Sequence, residues 1–251
     1  MPRMQERSIQ GKIRTMCGRA SQEEVDRYFE RVYGWQMPEQ FTPRRNIRPT
    51  EETNIVARIN DDLVATVKAN WWCQWDNATE FEAKFPAFNI RVDSMDQRKM
   101  WPPLLKSGKR CIFPIDAFYE WPTKGKGIPP VKIMLADRQP YAIAGLWSRW
   151  FDNGSPRFSF ATFTVESNDF MLPLHPQAMP VILDSKDAQK EWLLNGNRDL
   201  LVPYTGEMIA DDMPDTLEKL YPEENPPQKQ KAQEESIAKK DQEIQQGSLF
   251  G

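Results

Sequence analysis

Apolar and polar residues alternate over several short runs separated by turn residues, a pattern typical of β-strands. Residues 54–59 and 63–68 form two such runs on either side of Asn60-Asp61-Asp62, which predicts a hairpin. Further strands are predicted at residues 111–121, 131–135, 141–147 and 157–165. Short strands joined by turns favour antiparallel sheets.

Helical spacing is present in three short segments. Ser21 begins a capping box ahead of residues 22–33, where apolar side chains recur at helical spacing. Residues 184–194 predict a second helix, and residues 94–105 predict a third that Pro102-Pro103 interrupts. The pattern therefore predicts an α+β chain with mostly antiparallel strands and a few peripheral helices.

The composition changes after Tyr221. Residues 222–251 are almost free of large apolar side chains, so they cannot offset the entropy of ordering and are predicted to form a disordered tail. This tail ends in Gln246-Gly247-Ser248-Leu249-Phe250. Two large apolar residues at the tip of a polar tether indicate a docking peptide, and a chance apolar ending is the alternative.

Composition narrows the class of protein. The 251 residues, 39% hydrophobic and 27% charged, fit one sizeable domain without a membrane span. The first sixteen residues lack the apolar stretch of a secretion signal, which predicts a cytoplasmic protein. Three cysteines and one histidine without ligand spacing predict neither a disulfide framework nor a metal site. No P-loop, GxSxG or HExxH motif is present, and no cofactor is predicted.

Charge is distributed unevenly along the chain. The formal net charge of −3 does not indicate a nucleic-acid binder. Residues 84–110 nevertheless hold seven basic and two acidic side chains, and Arg44, Arg45 and Arg48 form a second basic cluster. Such patches either hold phosphates or are solvated faces, and charge alone leaves both alternatives open.

Met16 stands directly before Cys17, which raises the question of whether Cys17 is internal or is the mature N-terminus. A terminal cysteine offers an α-amine and a thiol on adjacent carbons, whereas an internal cysteine offers only the thiol. The chemistry available to the chain depends on which of the two forms exists.

Three other polar features lie in apolar surroundings. Glu120 stands between Tyr119 and Trp121, where partial burial would raise its pKa and suit acid–base work, unless it points outward by simple strand alternation. Asn89 and Arg91 are two apart on an extended stretch, so they share a face and suit a phosphate or sugar oxygen. A structural hydrogen-bond pair is the alternative.

The single histidine, His175, lies between Leu174 and Pro176. A lone histidine in such a position is often merely packed, but an imidazole can also shuttle protons near neutral pH.

These features belong to an ordered set of motifs. The set comprises Met-Cys-Gly-Arg at 16–19, Asn-Ile-Arg-Pro at 46–49, Asn-Ile-Arg-Val-Asp at 89–93, Cys-Ile-Phe-Pro-Ile-Asp-Ala-Phe-Tyr-Glu-Trp at 111–121, Ala-Gly-Leu-Trp at 144–147, Thr164 with Glu166-Ser167-Asn168, then His175 and Met179-Pro180. In this order and spacing, it resembles the SOS response-associated peptidase (SRAP) family over about residues 16–205.

The resemblance implies a single SRAP domain at residues 17–221 in an open barrel-like fold, with residues 1–16 as an extension. It also implies a DNA-damage function in the nucleoid, namely covalent crosslinking of the mature Cys17 to abasic sites in single-stranded DNA. The amine forms a Schiff base with the sugar aldehyde, and the thiol closes a thiazolidine ring. By the same resemblance Glu120 moves protons, Asn89 orients the opened sugar and His175 acts in proton transfer.

The resemblance further implies a set of DNA contacts. Arg19 and Arg91 would hold the flanking phosphates, and Asn46 and Thr164 would line the pocket. The aromatic residues expected to stack on bases or wedge the strand are Trp71, Trp72 and Trp75.

Two segments depart from the family's pattern. Residues 69–75 replace a Trp-Gly-Leu-x-Pro-x-Trp-like segment, and residues 175–180 replace His-x-Arg-Met-Pro with one extra residue and no arginine. Asp93 stands where a glutamate is common.

Several alternatives remain open at this point. Translation from Met16 with methionine removal would expose Cys17, and so would cleavage of a sixteen-residue extension. A thiol peptidase acting on itself through Cys17, or a non-catalytic single-strand DNA-binding module, are the competing functions. The tip, Gln246 to Phe250, resembles the Gln-x-Ser-Leu-Phe peptide that binds the bacterial sliding clamp, with Gln246, Leu249 and Phe250 as its contacts.

Overall fold

In the computed structural model, the residues described are 18–26, 29–30, 41–81, 87–122, 127–152 and 154–225. The predictions for the extension, for Met16 and Cys17, for the tail beyond residue 225 and for the tip at 246–250 lie outside these residues. The start predicted for the disordered tail, residue 222, is wrong, because Pro222–Glu224 form a 3-10 turn whose Glu224 carboxylate binds the main chain of Arg45 and Asn46. No helix in the described ranges has the length and apolar character needed to span a bilayer.

The strands of the described residues are, in chain order, β1 (Ala20–Gln22), β2 (Arg44–Ile47), β3 (Glu52–Arg58), β4 (Val64–Asn70), β5 (Asn89–Arg91), β6 (Arg110–Ile115), β7 (Ala117–Glu120), β8 (Val131–Leu135), β9 (Tyr141–Asp152), β10 (Ser155–Val165), β11 (Met179–Pro180), β12 (Ile182–Leu183) and β13 (Met208–Asp212). The helices are α1 (Trp101–Lys106), α2 (Lys186–Asn195) and α3 (Leu217–Leu220), with 3-10 turns at Met95–Gln97, Arg198–Leu200 and Pro222–Glu224.

Five strands close into a barrel. The predicted hairpin is present as β3 and β4, and antiparallel pairing continues from β3 to β6, from β6 to β9 and from β9 to β10. The ring is completed by one parallel pair, Ser159 of β10 with Asn70 of β4. The prediction of an α+β domain with a mostly antiparallel, barrel-like sheet is confirmed, except that the barrel, predicted to be open, is closed by this pair.

A second sheet of five strands lies beside the barrel, in the order β13-β8-β7-β1-β2. The single strand predicted at residues 111–121 is wrong in one respect, because Asp116 divides it into β6 of the barrel and β7 of the second sheet. The Asp116 carboxylate accepts the main-chain N–H groups of Glu23 and Glu24 at 2.5 and 2.8 Å. Asp116 therefore marks the bend where the chain leaves the barrel for the second sheet, and its carboxylate also binds the segment after β1.

Asp116 also replaces the predicted capping box. Ser21 is fully buried inside β1, where it pairs with Ala117 of β7, so its side chain does not begin a helix. Helical residues follow at 25–26 and 29–30, and the N–H groups ahead of them are those bound by Asp116. A long-range carboxylate thus provides the cap that the local sequence was expected to supply.

The two sheets share one continuous hydrophobic core, and Gln22 joins them by hydrogen bonds. Its buried amide donates to the carbonyls of Asn54 and Pro114 at 2.9 and 2.7 Å, and its oxygen accepts from the Thr53 hydroxyl at 2.6 Å. Satisfying every polar atom of a buried amide makes the contact specific for one arrangement of the sheets.

The helix predicted at 184–194 is present as α2, whereas the one predicted at 94–105 is confirmed only over α1, because residues 95–97 form a 3-10 turn instead. In α1 the residues Pro102 and Pro103 lie in the first turn, where no N–H partner is needed, so they begin the helix rather than interrupt it. In α2 the Ser185 hydroxyl accepts from the Ala188 N–H at 3.2 Å, and Gly196 ends the helix with a φ of 69°. Trp192 of α2 is buried and donates to the Cys111 carbonyl at 3.0 Å.

Candidate functional site

The start of β1 lies against the end of β7. Ala20 pairs with Phe118, and the Tyr119 N–H donates to the Arg19 carbonyl at 3.1 Å. Continued by one position, this antiparallel register sets Gly18 level with Glu120. The Glu120 residue is 4% exposed, so the buried alternative for this residue is correct and the outward-facing one is wrong. Cys17 lies outside the described residues but is bonded directly to Gly18.

Arg19 and Asn46 meet beside this position, because β2 pairs with β1. Arg19 Nε donates to Asn46 Oδ1 at 3.1 Å, and its guanidinium lies 5.7 Å from the Trp121 ring. Burial, followed by the charge of Arg48, lowers the pKa of Arg19 below its usual value. Asn46 is fully buried, and its Nδ2 has no partner among the described residues, which leaves a donor for a ligand.

A second group of polar side chains lies where β5 pairs with β10 in parallel. Asn89 and Arg91 are half-buried on one face, while Ile90 between them is fully buried, which confirms that the two polar residues share a face. Thr162 donates to Asn89 Oδ1 at 3.2 Å. Thr164, opposite Arg91, is buried with no partner for its hydroxyl among the described residues.

The segment that carries His175 is bonded to Arg91. Arg91 Nη1 donates to the Gln177 carbonyl at 2.8 Å, and Nη2 donates to Asp93 at 2.6 Å. This side-chain hydrogen bond from Arg91 lowers the pKa of Asp93. The segment at 175–180 therefore supplies a carbonyl that orients Arg91.

The orientation of the His175 ring defines its chemistry. His175 Nδ1 lies 2.9 Å from the Ala178 carbonyl, which only accepts hydrogen bonds, so Nδ1 carries the proton. In the neutral ring Nε2 is then the acceptor and is free to take a proton. The Ser167 hydroxyl fixes the same segment by donating to the His175 carbonyl at 2.6 Å.

A surface cleft of about 370 Å³ runs along the Asn89–Arg91 face. Three cations line it, Arg91, Arg98 and Lys99, together with the 40% exposed ring of Trp75. A second cavity of about 230 Å³ shares Trp75 and Met100 with this cleft. Cationic walls beside an exposed aromatic ring suit the backbone and bases of a single nucleic-acid strand.

The stacking predicted for Trp71 and Trp72 is wrong. The two rings are 1% and 4% exposed, so their faces are already covered by protein. Trp71 packs 5.1 Å from Phe113 inside the barrel, and Trp72 packs 4.8 Å from Phe81. Of the three tryptophans, Trp75 alone presents a surface to a ligand.

Two of the three cysteines are unsuited to nucleophilic work. Cys73 and Cys111 are both buried, and burial raises the pKa of Cys73 to about 12 and that of Cys111 well above its usual value. Since the thiolate is the reactive form, neither of these two residues is a candidate nucleophile.

One residue near the site, Glu218, was missed from the sequence, and Arg48 was named only as part of the basic cluster with Arg44 and Arg45. Arg48 and Glu218 contact each other beside Arg19, and the Arg19–Glu218 hydrogen bond joins residues 199 positions apart. No local pattern marks such a pair. Arg98 and Lys99 carried a partial signal, because both lie within the basic segment at 84–110.

Comparison with known proteins identifies the family. The sequence model of the SOS response associated peptidase (SRAP) family matches residues 16–214, and the chain belongs to this family. The Bacillus subtilis protein called abasic site processing protein YoaM is 32% identical over 217 residues, covering 79% of this chain and 88% of that protein. Abasic site processing protein YoqW, also from Bacillus subtilis, is 33% identical over 210 residues, covering 79% and 90%.

Solved structures share the fold. A crystal structure of a Bordetella bronchiseptica protein superposes with a TM-score of 0.66 at 20% identity, covering 78% of this chain and 99% of that one. A Bacteroides thetaiotaomicron protein gives the same TM-score at 22% identity, covering 78% and 92%.

Proposed function

We propose that this protein processes abasic sites in single-stranded DNA by capturing them covalently through Cys17 once that residue is the chain's first. The observation that carries the proposal is the antiparallel pairing of β1 with β7, which, extended beyond the hydrogen bond from Tyr119 to Arg19, sets Gly18, the neighbour of Cys17, level with the buried Glu120. The names of the Bacillus relatives, abasic site processing proteins, support the substrate.

The capture is a condensation that releases one molecule of water. The α-amine of Cys17 adds to the aldehyde carbon of the opened sugar, and the resulting hydroxyl leaves as water, which forms an imine. The thiol then adds to the imine carbon, and its proton passes to nitrogen to complete a thiazolidine. Glu120 donates the proton that the departing hydroxyl requires, because it is the buried carboxyl group beside the terminus.

The other side chains have separate roles in this proposal. Asn89, held by Thr162, orients the sugar, and Thr164 adds a buried hydroxyl beside Arg91. His175 accepts or returns a proton through Nε2. The flanking strand lies along the cleft, where Arg91, Arg98 and Lys99 meet phosphates and Trp75 stacks on a base.

The test is adduct formation by two forms of the protein, one of 251 residues and one beginning at Cys17. Each is mixed with matched oligonucleotides that contain an abasic site or an intact nucleotide, and products are separated under denaturing conditions. We expect an adduct only from the form beginning at Cys17 and only with abasic DNA. Cys17→Ala is expected to remove it, and Cys17→Ser to weaken it, because an oxygen-containing ring is less stable.

The same experiment separates the competing functions. Removal of residues 1–16 from the 251-residue form, detected by intact mass, supports self-cleavage as the route to the terminal amine. Salt-sensitive binding of DNA without any adduct supports a non-catalytic binding module instead. An adduct formed while Met1 is still present contradicts the terminal-amine mechanism.

A second partner is proposed for the tail. Gln246, Leu249 and Phe250 are proposed to bind the bacterial sliding clamp, with the apolar pair in a groove and Gln246 at its edge. The polar tether before them would keep the domain close to the replication fork. Deletion of residues 246–251 is expected to abolish clamp binding and leave abasic-site capture unchanged.

A further inference from the structure

Two arginines beside the start of β1 share one carboxylate oxygen. Arg19 Nη2 lies 3.1 Å from Glu218 Oε1, and Arg48 Nη2 lies 3.6 Å from the same atom. Glu218 belongs to the short helix α3, which follows residue 214, where the match to the family's sequence model ends. The contact therefore comes from outside the matched region and ends on an arginine of the candidate site.

Further contacts hold this segment in place, and residues 218–225 are called the acidic clasp. The Glu224 carboxylate accepts the main-chain N–H of Arg45 at 2.9 Å and that of Asn46 at 2.8 Å. Arg48 Nη1 donates to the Glu224 carbonyl at 3.0 Å, and the Asn225 amide donates to the Glu218 carbonyl at 3.1 Å. The main chain of the clasp is thus anchored independently of the Glu218 side chain.

The Glu218 side chain is the replaceable part of the clasp. Its side chain is 35% exposed and that of Arg19 is 23% exposed, so water partly screens the ion pair and its contribution to stability is modest. Arg48 lies further from this oxygen, at 3.6 Å, and is also held by Glu51 at 3.0 Å and by Asn225 at 3.1 Å. A phosphate oxygen in the same place would accept charge-assisted hydrogen bonds from Arg19 and lie beside the positive charge of Arg48. A phosphodiester can therefore displace this carboxylate at small cost.

Two carboxylates offset the charges of Arg19 and Arg48. Burial and the nearby charge of Arg48 both lower the pKa of Arg19, whereas Glu218 and Glu51 raise it, and Glu51 also pairs with Arg48 at 3.0 Å. Burial acts to raise the pKa of Glu218, but hydrogen bonds from the main chain and from Arg19 outweigh it, so the pKa is lowered overall. Glu218 is therefore ionised at neutral pH and occupies the place of an anionic ligand.

We propose that the Glu218 carboxylate occupies, in the free protein, the place of the backbone phosphate that the family resemblance assigns to Arg19, and that Arg48 lies beside this phosphate subsite. The inference rests on the proposed function, because the subsite adjoins the position where Cys17 would meet the abasic sugar. DNA binding then includes an exchange in which a phosphate replaces Glu218 and the freed carboxylate turns to solvent.

The test compares Glu218→Gln with Asp215→Asn in the form beginning at Cys17. Both changes remove one negative charge from the same short stretch. Asp215 pairs with the exposed Lys219 at 3.0 Å and accepts the Thr216 N–H at 2.7 Å, and its ion pairs among the described residues include neither arginine. Binding of an intact single-stranded oligonucleotide is measured by fluorescence anisotropy at several salt concentrations. Because this DNA contains no abasic site, the measurement does not depend on adduct chemistry.

We expect Glu218→Gln to bind roughly two- to fivefold more tightly at low salt, because the phosphate no longer competes with a carboxylate. The slope of log K against log salt should steepen by about 0.7, since no freed carboxylate gathers cations on binding. Asp215→Asn should leave both quantities near the wild-type values. Adding Arg19→Gln to Glu218→Gln should reduce the gain, because one of the two guanidinium groups is then absent.

Equal effects of Glu218→Gln and Asp215→Asn would overturn the inference, since they would reflect net charge alone. Weaker binding by Glu218→Gln would also overturn it and would assign Glu218 a role in orienting Arg19. These outcomes leave the proposed function intact if the variants still form adducts with abasic DNA. Loss of adduct formation by the wild type, with the Glu218→Gln effect present, would contradict the proposed function and retain the phosphate subsite. Thermal unfolding of each variant checks that the fold is unchanged.

Discussion

The guanidinium of Arg91 donates a hydrogen bond to the main-chain carbonyl of Gln177 at 2.8 Å. This bond joins β5 to the segment that carries His175. The Nδ1 atom of His175 lies 2.9 Å from the carbonyl of Ala178, the residue after Gln177. Arg91 also lines the basic cleft. One side chain therefore supports both the proposed phosphate contact and the position of the proposed proton carrier.

Arg91→Ala is expected to impair binding and chemistry separately. Loss of one phosphate contact should reduce the salt slope for intact single-stranded DNA by about 0.7. Adduct formation at saturating abasic DNA should also slow, because the His175 segment loses its anchor. Anisotropy titrations and single-turnover adduct kinetics measure the two effects. Arg149→Ala is the matched control, because Arg149 is exposed and stacks 4.8 Å from Phe151 instead of lining the cleft. Equal effects of both variants would contradict the assignment.

Glu120→Gln is expected to slow adduct formation by about 10²- to 10⁴-fold, the usual contribution of a general acid or base. The amide keeps the size of the carboxyl group but cannot supply the proton that the departing hydroxyl needs. Affinity for intact single-stranded DNA should not change. The control is Glu207→Gln, an exposed glutamate ahead of β13. An adduct rate equal to that of the wild type would remove Glu120 from the mechanism.

Trp71→Ala is expected to lower the stability of the fold, whereas Trp75→Ala is expected to weaken DNA binding. Trp71 is buried in the barrel, so its loss should lower the free energy of unfolding by about 3–5 kcal/mol in a urea titration. Trp75 is 40% exposed in the cleft, so its loss should change stability by about 0.5 kcal/mol or less. The same change should weaken single-strand binding by about 1–3 kcal/mol. Stability loss in Trp75→Ala with unchanged DNA affinity would refute its role as a stacking surface.

Thiol titration separates Cys17 from the two core cysteines. Burial raises the pKa of Cys73 to about 12, and Cys111 is raised in the same direction, so both stay protonated at pH 8. The form beginning at Cys17 should therefore show one rapidly reacting thiol when native and three after unfolding. Cys17→Ala should show none when native. Rapid labelling of Cys73 or Cys111 in the folded protein would contradict this arrangement.

Local sequence predicted the elements whose signal is local. The hairpin of β3 and β4 follows from alternation around Asn60-Asp61-Asp62, and α2 follows from helical spacing between Ser185 and Gly196. The shared face of Asn89 and Arg91 follows from the two-residue period of a strand. In each case the residues that determine the structure lie within a few positions of one another.

Features that depend on distant residues were not predictable in this way. Asp116 divides an apparently continuous apolar run because its carboxylate is bound by Glu23 and Glu24, more than ninety positions earlier. The burial of Trp71 depends on Phe113 and Phe160, which belong to other strands of the barrel. Aromatic content alone could not separate these core rings from a DNA-stacking surface.

The single backbone pair between Ser159 and Asn70 has a consequence for the length of the segment that follows β4. Beyond that pair, the segment after β4 is held to β10 by a side chain, because the Gln74 N–H donates to the Ser159 hydroxyl at 2.9 Å. Because one backbone pair and one side-chain hydrogen bond hold this segment to β10, residues can be inserted or deleted in it without breaking a series of backbone hydrogen bonds. The departure from the family's pattern at residues 69–75 can therefore alter one side of the cleft while the barrel itself stays intact.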